Sequence, residues 1–289
     1  MKGRALIQVN LAVFLFGTAG LFAKWLDLPA IAITLGRVVF SSLALGVFAL
    51  VTRQSLRVKG RDFFLLVLAG GLLAVHWWLF LLSIQLSTVA VGTITFSAFP
   101  LFVTFLEPVV FHEKLRVERV LAAVAILGGV LLTVPQFSLE NRISAGIAVG
   151  LVSALAYSVL TLLNRSFMTR QTGTLTAFYE QASAAVLLVL PCLWMAPVVP
   201  TVSGLGMLLF LGVVTTAVAH TLFITSLKVL PAQITGVVSS MESVYGILLA
   251  FLVLGETPSF REIAGAAVII GVVVLSQLLP GKGKGRAGA

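Results

Sequence analysis

The sequence predicts an all-α integral membrane protein, ten transmembrane helices forming two inverted five-helix repeats. Three observations predict it. Hydrophobic residues make up 59% of the 289-residue chain and charged residues only 10%, against roughly 25% charged in an average soluble domain. One soluble core cannot hide that much apolar side chain, so lipid must solvate the remainder. Apolar stretches long enough to cross a bilayer, about 20 residues each, follow one another with short polar gaps, and the second half of the chain repeats the pattern of the first.

In order, the predicted spans are 5–24, 30–52, 62–83, 88–112, 117–135, 144–164, 174–196, 204–227, 231–254 and 261–280. The first follows the basic segment Met1–Arg4, as a secretory signal would, but no polar cleavage region interrupts it before Lys24, so it is read as a retained span. Asp27 and Pro29 separate it from the second span, which ends at the polar stretch Arg53 to Asp62. The fourth span closes at Glu113 and the fifth is glycine-rich. Glu140 to Arg142 precede the sixth span, Pro197 to Ser203 follow the seventh, and Pro231 opens the ninth. No gap holds a folded soluble domain. The expected division is 1–138 for the first repeat and 139–289 for the second, with a short basic tail.

The duplication has a fixed offset of 143 residues: Ser83, Ser97 and Glu113 recur as Ser226, Ser240 and Glu256 among many apolar matches, without a gap from the third span to the fifth. Five is odd, so the second copy enters the membrane upside down. Exchanging the conformations of two inverted bundles turns an inward-open state into an outward-open one. That points to transport by alternating access.

Charge sets orientation. With the N-terminus inside, the inner loops and ends collect Lys2, Arg4, Arg53, Arg57, Lys59, Arg61, Lys114, Arg116, Arg119, Arg165, Arg170, Lys228, Lys282, Lys284 and Arg286. The outer loops hold Lys24, Arg142 and Arg261. The positive-inside rule then places both termini in the cytoplasm and the chain in the cell inner (plasma) membrane. The net charge of +9 lies in short gaps between apolar runs, so no nucleic-acid partner is expected. The GKGKGRAGA tail suits anionic lipid heads.

No catalytic residue, cofactor or metal is expected. Three separated histidines without HExxH or G-x-S-x-G give an intramembrane enzyme, the different-class alternative, little support. Cys192 is the sole cysteine, which excludes an intramolecular disulfide and a cysteine metal site.

Two motifs carry a family resemblance: PLFVTFLEPVVFHEKLRVERVLAAVAILGGVLL, echoed by SVYGILLAFLVLGETPSFREIAGAAVIIGVVVL, and LGRVVF around Arg37. Over nearly its whole length the chain resembles the EamA-like branch of the drug/metabolite transporter superfamily. The resemblance implies ten helices around a central cavity and a small-molecule substrate, an amino acid or derivative, with export favoured. Sugars, amines and drugs are alternative substrates. The first span has Phe16-Gly17 where the family often has Trp-Gly.

Charges within the spans are the informative residues, because one near the bilayer centre costs about 2.5–3.5 kcal/mol. They are Arg37, Glu107, Glu180 and Glu242. At about 1.5 Å per residue, Glu242 falls mid-membrane and Arg37 toward the outer side, within reach of Glu242. Glu180, the repeat equivalent of Arg37, falls toward the inner side with Glu107. Glu242 and Arg37 form the expected substrate site, meeting the amine and carboxylate of a zwitterion, the arginine by its fork; a permanent ion pair is the alternative. Glu107 and Glu180 are expected to anchor helices through snorkelling Arg119, Arg165 or Lys228, and Glu113 and Glu256 to sit at the interface.

Trp77, His220, Tyr245, Phe99, Tyr157 and Tyr179 complete the expected substrate-binding set, since aromatic faces hold amphipathic ligands and amines. His220 stands where the first repeat has Trp77. For a coupled proton the candidates are Glu242, His220 and Glu180. Pro100 and Pro108 are expected to kink the fourth span alone. Gly146 and Gly150 are expected to pack within one protomer, giving a monomer or weak dimer.

Overall fold

A computed structural model describes residues 1–58, 60–132, 142–195 and 198–278. The described residues form ten helical rods: α1 (Lys2–Trp25), α2 (Ala30–Val51), α3 (Arg61–Leu86), α4 (Val89–Phe111), α5 (Val117–Leu132), α6 (Arg142–Phe167), α7 (Gly173–Met195), α8 (Val202–Ser226), α9 (Ala232–Leu254) and α10 (Phe260–Leu278). Counting the described residues alone, all but α5 and α10 are long and apolar enough to cross a membrane. The expected repeat boundary at 138/139 and the basic tail lie outside the described residues.

Helix ends follow local chemistry. Pro29 and Pro231 occupy the N-cap positions of α2 and α9 with φ near −59° and −58°, the value the ring imposes. The Thr88 hydroxyl accepts from Val91 N at the start of α4, and that of Thr201 from Gly204 N at the start of α8, each satisfying an orphan donor. Where α4 and α9 stop, the equivalents His112 and Gly255 both turn left-handed, with φ of 54° and 69°. Glycine takes that conformation freely; histidine does so under strain.

The kinks differ from expectation. Both α4 and α9 break, α4 between the helical pieces Val89–Phe96 and Phe99–Phe111, and α9 between Ala232–Ser239 and Met241–Leu249. The breaks fall at the equivalent Ser97 and Ser240. They meet near one another, since Ser97 Oγ lies 2.5 Å from Ser243 Oγ, which donates to the Thr93 carbonyl at 2.8 Å. Pro100 is in the first turn of the second α4 piece, where a missing N–H leaves no helical bond unmade. The halves are therefore broken at equivalent positions, and proline is not the cause in the second half, where Ser243 stands at the position of Pro100.

Contacts between halves come in repeat-related twins: α3 with α6 and α8 with α1, α4 with α6 and α9 with α1, α3 with α7 and α8 with α2. The α2–α7 and α5–α10 pairs map onto themselves. This is the signature of two repeats related by a two-fold axis. Helices approach through small residues, as packing in lipid requires. A Cβ on Gly70 of α3 would lie 2.7 Å from the Glu180 carbonyl of α7, and one on Gly212 of α8 would lie 2.8 Å from the Arg37 carbonyl of α2. Gly146 and Gly150 pack on Ser83, Ser87 and Thr95 of the same chain.

Both ends of the bundle are tied by carboxylates. Buried Glu107 at the end of α4 pairs with Arg165 and accepts from Ala232 N at 2.9 Å and Gln233 N at 3.3 Å, the start of α9. Glu113 also meets Arg165, at 2.5 Å. At the other end Glu256 accepts from Val89 N at 3.2 Å, the start of α4.

Candidate functional site

Six helices aim side chains at one internal cavity: Phe16 and Ala19 of α1, Arg37 of α2, His76, Trp77 and Phe80 of α3, Phe96 of α4, Tyr157 of α6 and Glu242 of α9. Its volume is about 10 Å³, room for about one water molecule. A small-molecule site is commonly 300–1,000 Å³ or so, so the surrounding helices must part before a metabolite fits.

Arg37 is 1% exposed. Its Cζ lies 4.0 Å over the Trp77 ring and its Nε donates to Thr216 Oγ1 at 3.0 Å. Thr216 stands in a π-helical turn, Val213–Val218, that widens α8 at this level; such turns expose a residue that a regular helix would turn away. Nη1 of Arg37 has no hydrogen-bond partner. Glu242, 5% exposed, faces the same cavity. Its electrostatic partner is Arg37, yet its carboxyl accepts no hydrogen bond from the described residues. Ion pairs do form elsewhere, Arg165 with Glu107 and Glu113, Arg170 with Asp62, and His220 with Glu180. Arg37 and Glu242 thus share a cavity without closing into a pair.

The walls are aromatic. His76 Nδ1 is hydrogen-bonded to Ser153 Oγ at 2.8 Å, which fixes its ring 4.3 Å from Tyr157 and 5.0 Å from Phe96. Phe99 stacks behind Phe96 at 5.7 Å and contacts Tyr157 at 5.1 Å, one layer outside the lining. The Tyr157 hydroxyl is buried without a partner.

Beside the cavity, His220 Nε2 meets Glu180 Oε2 at 2.7 Å, both side chains 0% exposed. The His220 ring meets Trp77 edge-on at 5.4 Å, so Trp77 touches both Arg37 and His220. Glu180 therefore has a histidine partner where a snorkelling cation was expected. Arg165 goes to Glu107 instead.

Two expected residues are elsewhere. The Tyr179 hydroxyl donates to the Leu56 carbonyl at 2.8 Å and its ring packs on Phe63 and Phe178. One residue from Glu180, it is turned about 100° around α7, away from the cavity. Tyr245 fills the notch at Gly17 on α1 and meets Phe14 edge-on at 5.4 Å. The lining also contains Phe16, Ala19, His76, Phe80 and Phe96, which were outside the expected set. The aromatic-glycine pair at Phe16-Gly17 was the available signal for the first of them.

A family profile described as EamA-like transporter family matches residues 3–134 and 144–277, one match in each half. The uncharacterized transporter YwfM of Bacillus subtilis (strain 168) is 28% identical over 283 residues, 96% of this chain and 95% of that protein. The uncharacterized transporter YxxF of the same strain is 25% identical over 282 residues, 95% and 90% of the two chains. An uncharacterized transporter of Archaeoglobus fulgidus is 25% identical over 270 residues, 93% and 94%. A solved crystal structure superposes with a TM-score of 0.79 at 20% identity, covering 98% of this chain and all of that one. At that identity the likeness concerns the fold.

Proposed function

The chain belongs to the EamA-like transporter family, multi-pass membrane carriers rather than enzymes, and we propose that it is a secondary active transporter whose substrate is a small zwitterion, an amino acid or derivative, held between Arg37 and Glu242. One observation carries this reading. A buried guanidinium nitrogen without a partner and a buried carboxyl without a hydrogen bond face one cavity and do not pair. Leaving buried charges uncompensated costs several kcal/mol or so. A zwitterion removes both costs: its carboxylate accepts from Arg37 Nη1 and its ammonium donates to Glu242. An amine alone would match Glu242 and leave Arg37 bare. Sugars carry no charge for either group. Phe16, Phe80 and Phe96 then receive an apolar side chain by simple burial.

Alternating access follows from the architecture. The breaks at Ser97 and Ser240 cross beside the cavity, so small rotations of the outer pieces of α4 and α9 suffice to admit substrate from one end or the other. Orientation with both termini cytoplasmic in the cell inner membrane rests on the basic inner loops. Export is the favoured direction by family kinship, and a secondary carrier runs down the combined gradients in any case.

The test is uptake of a mixture of the twenty radiolabelled amino acids into proteoliposomes holding the purified chain. Uptake above protein-free vesicles is expected. Glu242→Gln and Arg37→Lys should each reduce it by about tenfold or more, a charged hydrogen bond being worth about 1.5–3 kcal/mol. Near-normal uptake by both variants, at equal reconstitution, defeats the reading.

A further inference from the structure

We infer that the Glu180–His220 pair is a proton-binding site, distinct from the Arg37–Glu242 site and joined to it through Trp77, which touches both Arg37 and His220. Proton binding stands independently of the substrate assignment; its coupling to transport rests on that reading.

The geometry is that of an unfinished pair. Glu180 Oε2 and His220 Nε2 are 2.7 Å apart with no exposed surface, but Glu180 Oε1 and His220 Nδ1 have no hydrogen-bond partner. A pair serving only to fasten α7 to α8 gains most when its remaining atoms are also bonded. Here the neighbours have spare polar atoms as well. Asn164 reaches toward Glu180 without meeting hydrogen-bond geometry, and its amide nitrogen and oxygen, the Gln181 amide and Thr161 Oγ1 are unpartnered. Tyr157, Thr161 and Asn164 are spaced by four and three residues, one face of α6. They form a polar seam from the cavity to the Arg165 end of the bundle, the end that faces the cytoplasm in the proposed orientation.

The proton balance is simple. With one shared proton the pair is neutral, a carboxylate hydrogen-bonded to an imidazolium. A second proton, taken from water on one side, gives carboxylic acid plus imidazolium with net charge +1, and the same proton leaves to water on the other side. The titratable groups facing the pair are few. Arg37 comes from α2, His76 from α3, Tyr157 from α6 and, across the cavity, Glu242 from α9. The buried face of α1 that packs along α8 is wholly apolar or glycine. The added charge lies beside the cavity, against the Trp77 ring that Arg37 covers and within electrostatic reach of the lining residues His76 and Tyr157. It changes how firmly the cavity holds an anionic group, and so links proton to substrate.

The experiment is infrared difference spectroscopy of the purified full chain in lipid, acidified from about pH 8 to about pH 5. Wild type is expected to gain a protonated-carboxyl band that Glu180→Gln lacks and Glu242→Gln retains. His220→Gln should move the pH at which the band appears, a response that a merely structural pair would not give and one that remains readable if Glu180→Gln fails to fold. No pH-dependent carboxyl band attributable to Glu180 overturns the site. In proteoliposomes, the accumulation of the twenty-amino-acid label by wild type should respond to an imposed pH gradient, up to about tenfold per pH unit for one proton per cycle; the ratio with and without gradient should fall to one in Glu180→Gln. An unaltered ratio in that variant overturns the coupling. A titrating Glu180 band without amino acid uptake would sink the substrate reading and leave the proton site standing.

Discussion

Arg37 and Trp77 of the first half, and Glu180 and His220 of the second, occupy equivalent positions 143 residues apart, yet they do different chemistry. In both halves the first residue comes from the second helix of the repeat and the second from the third helix. In both a glycine brings a neighbouring helix to within contact of the charged residue's own backbone, Gly212 at Arg37 and Gly70 at Glu180. What differs is the ending. The guanidinium spreads over an indole face, keeps one nitrogen without a partner and lines the cavity. The carboxyl is paired with an imidazole and is not part of the lining. Duplication kept the helix crossings, and substitution at two positions left an arginine with an unpartnered guanidinium nitrogen at one crossing and an acid–base pair with two unpartnered atoms at the other.

Perturbing the first crossing should have the larger effect. Arg37→Gln removes the fixed cation while roughly preserving volume, and transport should fall by about tenfold to a hundredfold, measured as initial uptake rate at equal reconstitution. The second expected effect is on stability. Alanine at Gly212 or Gly70 places a methyl against backbone, and either variant should be destabilised by about 1–3 kcal/mol, read from thermal unfolding in detergent. Equal losses at both positions would support the equivalence of the two crossings; a loss at one alone would break it. Trp77→Phe keeps an aromatic face under Arg37 but a smaller one, and should weaken substrate binding by about two- to fivefold. The smallest effect belongs to Tyr179→Phe, which deletes the bond to Leu56 for about 1 kcal/mol or less of stability and should leave uptake unchanged.

The sequence sets an expected depth and hides direction. Counting residues along a span assigns Arg37, Glu107, Glu180 and Glu242 an expected level, because the rise per residue is fixed and intramembrane charge is costly enough to be rare. Which way a side chain faces depends on helix packing. Tyr179 and Tyr245 lie at plausible heights but on faces turned to Leu56 and to α1. Cavity walls such as Phe80 and Phe96 cannot be told by composition from the other phenylalanines in a chain that has 20 of them. The Glu180–His220 contact was encoded, though. Arg37 precedes Trp77 by the same 40 residues that separate Glu180 from His220, so any contact in one half implies its twin. The serine breaks were equally visible as the polar match of Ser97 with Ser240, and the prolines nearby drew the expectation away from them.

The most direct test of the unpaired Arg37 and Glu242 is a competition measurement: inhibition of radiolabelled phenylalanine binding by unlabelled phenylalanine and by phenethylamine, which lacks the carboxylate. Wild type should favour the zwitterion by about tenfold or more, and Arg37→Gln should abolish that preference while binding the amine as before. Equal competition by the two compounds in wild type, or a preference that survives Arg37→Gln, would contradict a site that holds both charges of its ligand.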